Sequence, residues 1–446
     1  MGSEPEVFTR GENDTAVTPI DKKSCEKDRH GANEPALSRL MTRLTQERMV
    51  RLALMFKERC ADTHLKELVV ERADDQRRIT VGGRQLYSFG SDSFLGLDRD
   101  PRVQHALIQA VRPWGTHNGA SRVFSTVELG EEAERRLAKW LGVEDTLIFA
   151  SVTLANAGLI PAIAGDGDLL VVDRLSHDSI HQAAKIAAGS GAIVRQFHPC
   201  RGETLAGVLA KESYRGCVVA VDGVNSMSGA IPPLNELDEV TRGCGGILYV
   251  DDAHGTGVVG PRGRGAAAKV LGSLDDVLMV GSLSKAFSCM GAFVTCTTPL
   301  KQVLKMKSNT FIFGGPVPPP YLAAICAVCD IIDSPEYAEL LGRLHMLIRR
   351  LVEGIRAIGL NVLGGESPIV SVVIGDIEQT LEAGKWLFDR GFYVQSATFP
   401  AVPINGGLLR IQVNANHAVK AIDDLLGALA EMKTNFNLPA CAAASQ

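Results

Sequence analysis

The chain has 446 residues, enough to bury a large core and to divide into lobes. Hydrophobic residues make up 46% and charged residues 22%, the balance of a globular enzyme, and a net charge of −5 excludes the polycation footprint of a nucleic-acid binder. No apolar run reaches the length of a membrane span, the opening residues do not read as a signal peptide, and ten scattered cysteines fit reduced thiols, so a cytoplasmic protein is expected.

Residues 1–32 are polar and nearly free of aromatics, which predicts a disordered tail. A helical segment is predicted for 33–85. Asn33 would cap its first helix and Pro35 would sit in the first turn. Leu37, Leu40, Met41 and Leu44, then Met49, Leu52, Met55 and Phe56, recur at helical spacing among Arg39, Arg43, Arg48 and Arg51. Such a stripe packs on the body of the protein or on a second subunit. Its basic face is either solvated or a place for an acidic carrier protein.

From 86 to 334 apolar runs alternate with helical segments. Strands are predicted at 146–149, 169–172, 218–221, 247–250, 277–280 and 292–296, which makes the class α/β with a large, mostly parallel sheet. A helix-rich stretch at 335–358, strand-like runs at 369–374 and 408–413 and a helix at 381–390 predict a smaller C-terminal α+β domain over 335–437, with a tail at 438–446.

The chemistry is concentrated after two of these strands. The run at 277–280 leads into Gly281-Ser-Leu-Ser-Lys-Ala-Phe287, which would hold the Lys285 amine in a confined, partly dry place. There the cost of stripping water from an ammonium favours a neutral amine able to bond to an aldehyde. The run at 247–250 ends in Asp251-Asp-Ala-His254-Gly-Thr-Gly257, an acid and a histidine at a strand's carboxyl end, where open α/β sheets place their ligands. A lysine for an aldehyde and a buried acid for a pyridine nitrogen are what pyridoxal phosphate (PLP) requires.

Other signals are weaker. Gly255-Thr-Gly257-Val-Val-Gly260 matches a dinucleotide fingerprint, but Pro261-Arg-Gly-Arg-Gly265 is a poor start for the helix that must follow it. His177 and His181 lie four apart without a third ligand, so no metal is expected. The pair Cys326 and Cys329 falls in an apolar helical stretch and reads as core. Arg410, between apolar residues of a strand, calls for an anionic partner, either a structural carboxylate or that of a substrate.

In this order Phe94-Leu-Gly-Leu97, Gly119-Ala-Ser-Arg122, Asp173-Arg-Leu-Ser-His-Asp-Ser179, Val250-Asp-Asp-Ala-His-Gly-Thr-Gly257, Ser282-Leu-Ser-Lys-Ala-Phe287 and Leu409-Arg-Ile411 resemble the α-oxoamine synthases, fold-type I PLP enzymes. The resemblance spans roughly 86–432. It implies a homodimer, and a decarboxylating Claisen-type condensation of an amino acid with an acyl thioester, on CoA or a carrier protein, to give an α-amino ketone. Lys285 would carry the cofactor, Asp251 would meet its ring nitrogen, His254 its phenolic oxygen and His177 its ring face. Ser226 would lie beside the cofactor oxygen and Ser282 near the phosphate, with Thr153 and Leu154 in the same cofactor loop. Arg410 would grip the amino-acid carboxylate, and Asp92, Ser121 and Arg122 would complete the substrate site.

The chain departs from that pattern at four places. Asp92 stands where the family usually has asparagine, and it is expected to meet a cationic group on the amino acid. Ser151-Val-Thr-Leu-Ala-Asn156 replaces a Ser-Gly-Phe-Ala-Asn loop, and Gly130 replaces a histidine. Gly314-Gly-Pro-Val-Pro-Pro319 replaces Thr-Thr-Ser-x-Pro-Pro, so the backbone N–H groups of Gly314 and Gly315 would serve the neighbouring subunit's phosphate. Lys285 and Asp251 by themselves would equally serve an aminotransferase or an aldolase-type lyase, and a non-catalytic partner subunit is a further alternative.

Overall fold

The computed structural model describes residues 35–59 and 68–438. The predicted N-terminal tail, the cap Asn33 and all of the predicted C-terminal tail except Leu438, which is buried, lie outside those residues. The chain divides into a short unit, Met1–Ala61, and a main unit, Asp62–Gln446. In the short unit the apolar stripe is carried by two helices, Ala36–Gln46 and Arg48–Arg59, parted at Glu47, whose backbone is extended. Leu37, Leu40, Met41, Met49 and Met55 are exposed.

The main unit is built on a seven-stranded sheet. Its strands lie in the order Asp145–Phe149, Ala292–Cys296, Val277–Ser282, Ile247–Asp251, Cys217–Asp222, Leu169–Asp173 and Ile193–Phe197. Ala292–Cys296 runs antiparallel to both of its neighbours, and the other pairs are parallel. Successive side chains on a strand point to opposite faces. Leu169, Val171, Val219, Val221, Leu248 and Val250 therefore enter one core, while Leu170, Val172, Val218, Ala220 and Tyr249 enter the other. Burial on both faces explains why these strands read as unbroken apolar runs. Ile193–Phe197 escaped prediction because it is an edge strand whose Arg195 and Gln196 face solvent.

A second, antiparallel sheet of Val362–Gly364, Ile369–Gly375, Gly407–Gln412 and Gln395–Ala397 carries Arg410 in an inner strand. The helices Glu336–Ile358, Ile377–Asp389 and Val419–Asn435 belong to this C-terminal region. A hairpin, Arg78–Val81 with Arg84–Ser88, pairs in parallel with Phe392–Tyr393 and so brings residue 92 toward the C-terminal strands. Cys326 and Cys329 are buried in the helix Pro319–Ile332, where loss of hydration pushes the Cys326 thiol up to about 11. No helix among the described residues is long and apolar enough to cross a membrane.

The glycines after Asp251 have a packing cause. Asp252 is fully buried, and its Oδ2 accepts the Ala267 N–H at 3.0 Å at the start of the helix Ala266–Leu271. A Cβ at Gly255 or Gly265 would collide with that carboxylate. Only a 3₁₀ turn, Pro261–Gly263, follows Gly260, so the glycine series wraps an acid and opens no dinucleotide helix.

Lost hydration pushes the Asp252 carboxyl up to about 7, against the pull of the Ala267 and Ala266 N–H groups. The folded protein thus keeps a proton that the unfolded chain loses above its ordinary carboxylate range. The stability this confers is full below about pH 4, declines as pH rises to about 7 and is flat beyond. Urea midpoints near pH 5 and near pH 8 are expected to differ more for the wild type than for Asp252→Asn.

Candidate active site

Asp222 and Asp251 end adjacent parallel strands and are register partners, which places two acids side by side at the carboxyl edge of the sheet. Ser282 ends the next strand, and Lys285 follows in a tight loop held by Ser288 N–H to Lys285 O at 2.8 Å and Cys289 N–H to Leu283 O at 2.8 Å. Buried Leu283, Ala286 and Phe287 anchor the loop and leave Lys285 half-buried. Ser93 bonds the Ser288 hydroxyl and donates to Asp98 Oδ1 at 2.6 Å, so the Phe94-Leu-Gly-Leu97 turn braces the lysine loop.

Asp251 is held by a network that local spacing does not reveal. Asn156 Nδ2 donates to Asp251 Oδ2 at 2.7 Å and to Ser179 Oγ at 2.8 Å, while Tyr249 OH donates to Asn156 Oδ1 at 2.6 Å. Ala253 N–H reaches Asp251 Oδ1 at 3.2 Å. Ser179 Oγ in turn lies 2.7 Å from His177 Nδ1, and the His177 N–H donates to Asp222 Oδ1 at 3.0 Å. One buried amide therefore fixes both the acid and, through Ser179, the exposed His177 ring that caps the helix Asp178–Gly189. His181 lies 3.5 Å from the Gln196 side-chain amide. Asn156→Ala would leave several buried groups unpartnered and is expected to cost about 1–3 kcal/mol of stability, read from urea unfolding.

Charge around the site is asymmetric. Asp222 is buried and its Oδ2 has no partner among the described residues. Lost hydration, then the neighbouring Asp251, raise its carboxyl well above the ordinary range. His254 is buried, and lost hydration, followed by Lys285, Arg410 and His177, holds its imidazole well below the usual value, so it is a neutral donor at physiological pH.

Two further elements carry hydroxyls suited to a phosphate. Ser151 caps the helix Val152–Ile163 by accepting the Leu154 N–H at 3.2 Å, which leaves exposed Thr153 in its first turn. Thr310 Oγ1 donates to Leu154 O at 2.6 Å, tying that helix to Asn309–Phe313. Ser282 and Ser284 hydroxyls lie 3.0 Å apart. A helix N-terminus and paired hydroxyls are each groups that bind phosphate. The Gly314 N–H is already given to Thr310 O at 2.9 Å, so of the two glycines expected to serve a phosphate only Gly315, at φ 75°, remains available.

The substrate side is more changed. Arg410 is buried and gives Nε–H to Ser226 O at 2.6 Å, Nη1 to Gln395 Oε1 at 2.7 Å and Nη2 to Asp92 Oδ1 at 3.3 Å. Ser226 thus enters through its backbone oxygen. Gln412 also donates to Asp92 Oδ1, so the carboxylate expected to await a cationic substrate group already has internal partners. Ser121 and Arg122 have internal partners. Ser121 Oγ donates to Ile312 O at 2.5 Å, and Arg122 is an interior cation bonded to Glu134 at 2.6 Å and Ile148 O at 3.0 Å, 5.0 Å from the Phe311 ring. A buried guanidinium with that set of partners ties the loop to the helix Glu128–Leu141 and the strand Asp145–Phe149. Gly130 adjoins this pair near Thr126 and Leu322.

A lysine, an acid fixed by two donors, a neutral histidine, a buried carboxyl oxygen unpartnered among the described residues, and hydroxyls with a helix N-terminus for a phosphate fit PLP. Comparison with known proteins agrees. A family profile for class I and II aminotransferases matches residues 85–429. The 8-amino-7-oxononanoate synthase of Geobacter sulfurreducens is 36% identical over 357 residues, covering 80% of this chain and 90% of that protein. The serine palmitoyltransferase of Sphingomonas wittichii superposes with a TM-score of 0.83 at 26% identity, covering 91% of this chain and 100% of that one. That of S. paucimobilis, solved with PLP and myriocin, superposes with a TM-score of 0.81 at 26% identity, over 86% and 97% of the two chains. The chain belongs to the class I and II aminotransferase family of fold-type I PLP enzymes, and within it to the α-oxoamine synthases.

Proposed function

We propose that the protein joins an amino acid to an acyl thioester with loss of the amino acid's carboxylate as carbon dioxide, and that it works as a cytoplasmic homodimer. The observation that carries the reading is one site holding both a lysine and a buried arginine, Lys285 and Arg410, beside a fixed acid. Lysine and acid alone serve every PLP reaction. The arginine adds a grip on a carboxylate, and that grip selects which bond at the α-carbon breaks.

When bound, PLP supplies an aldehyde for an amine and a ring that accepts the electron pair left at the α-carbon. Lys285 Nζ would hold that aldehyde, and its amine would be the group that moves the α-proton. Asp251, held by Asn156 and Ala253, would keep a proton on the ring nitrogen. His254, neutral, would donate to the phenolic oxygen. His177 would cover the ring face, and Thr153, Ser282 and Ser284 would hold the phosphate. With PLP-loaded protein, one amino acid among glycine, alanine and serine is expected to shift the cofactor's absorbance, and an acyl thioester added afterwards is expected to release free thiol. A shift to the pyridoxamine spectrum without thiol would make the protein a transaminase instead.

Two exposed rings support the dimer. Phe124 is 88% exposed and Phe313 82%, and the Ser121–Ile312 bond sets their segments side by side at the edge of the site. Exposed aromatics in such a patch mark an interface. Light scattering is expected to give a dimer for the wild type and a monomer for the Phe124→Asp, Phe313→Asp double variant.

A further inference from the structure

We propose that Asp92 is an internal carboxylate that occupies the amino acid's place on Arg410 and sets how tightly that substrate binds. This rests on the assignment of Arg410 to the substrate carboxylate.

The guanidinium of Arg410 is fixed on two sides. Nε–H goes to the Ser226 carbonyl at 2.6 Å and Nη1 to Gln395, its cross-strand partner, at 2.7 Å. The third bond, Nη2 to Asp92 Oδ1, is the longest at 3.3 Å. The same Asp92 oxygen accepts the side-chain amide of Gln412, which is itself fully buried. Two donors, one of them cationic, therefore converge on a single point, and that point is held by a carboxylate oxygen. The Arg410 side chain is 6% exposed and that of Asp92 is 38% exposed, so the cation is interior while its counterion lies on the solvent side. Burial pulls the Arg410 pKa down and Asp92 opposes that pull, as a carboxylate paired with a buried cation does.

Donors converging on one oxygen form a carboxylate site, and Asp92 fills it with the chain's own carboxylate. A substrate carboxylate must take over or share these donors beside a like charge, which weakens its binding. Asparagine at position 92 keeps an acceptor oxygen for both donors and removes the charge. The amino acid then meets an uncontested cation.

The test follows the absorbance of PLP-loaded protein titrated with glycine, alanine and serine, and with the amides of the same three, which lack the carboxylate. In Asp92→Asn the half-saturating concentration of the most responsive amino acid is expected to fall about tenfold or more, with its amide unchanged. Asp92→Ser, which also retains an oxygen without the charge, is expected to behave alike, and unchanged thermal midpoints exclude misfolding. Equal affinity in wild type and both variants would overturn the proposal. Weaker binding in the variants would overturn it too, and would mean that Asp92 attracts a cationic group on the substrate. A response only in the variants would support it strongly. If Arg410→Lys changes neither the acid nor the amide titration, the carboxylate assignment of Arg410 itself fails, whatever Asp92 does. If neither wild type nor variants respond to any ligand, both readings fail.

Discussion

Lys285→Ala is expected to fold normally and to lose turnover altogether. The loop around position 285 is held by backbone bonds to Ser288 and Cys289 and by buried Leu283, Ala286 and Phe287, none of which uses the lysine side chain. Its amine is assigned two tasks at one atom, covalent attachment of the cofactor and transfer of the α-proton. Proton transfer by a positioned side chain alone contributes roughly 10²–10⁴-fold, and loss of the covalent exchange adds to that. Thiol release measures turnover. Borohydride reduction followed by peptide mass analysis measures attachment, with the cofactor mass expected on the peptide containing Lys285 in the wild type and on no peptide in the variant.

Asp251→Asn is expected to keep its cofactor and to lower kcat by about 10²–10³-fold, the effect of removing one preorganised electrostatic contact at a developing charge. The size of the loss follows from the network. Asn156 and the Ala253 N–H hold the Asp251 carboxylate in place, so the site has no other acid arranged to keep a proton on the ring nitrogen. Asp222, the register neighbour, is held instead by the His177 N–H, which fixes it away from the position that Asn156 and Ala253 give Asp251. Stopped-flow and steady-state kinetics are expected to show the loss in kcat, with cofactor content unchanged. A loss of cofactor with kcat per bound cofactor preserved would instead make Asp251 a binding residue only.

The parts of the fold that could be read from the residues are those whose burial pattern is local. Strands such as Leu169–Asp173 and Val277–Ser282 are buried at every position because both faces are covered, and their four-residue apolar runs are visible without a partner. Ile193–Phe197 has one neighbour and exposed polar residues, so nothing in its own sequence separates it from a loop. The same division runs through the site. Lys285, Asp251 and His254 lie at or just past strand ends within short motifs. Asn156, Asp222, Ser179, Gln395 and Gln412 matter only because the sheets bring them together, and Asp92 meets Arg410 across 318 residues of chain. Asp222 had a signal, an acid closing an apolar run like Asp251, that went unread. Arg122, which the family resemblance alone assigned to the substrate site, meets Glu134, twelve residues on and fully buried, a partner that the loop's own sequence does not announce.

The most direct measurement supplies the PLP-loaded protein with an amino acid labelled in its carboxyl carbon together with an acyl thioester, and follows labelled carbon dioxide and free thiol in the same reaction. The account predicts that both appear in equimolar amounts, that each requires both substrates, and that neither appears with Lys285→Ala. Carbon dioxide without the thioester, or a 2-oxo acid formed while the thiol stays bound, would contradict it.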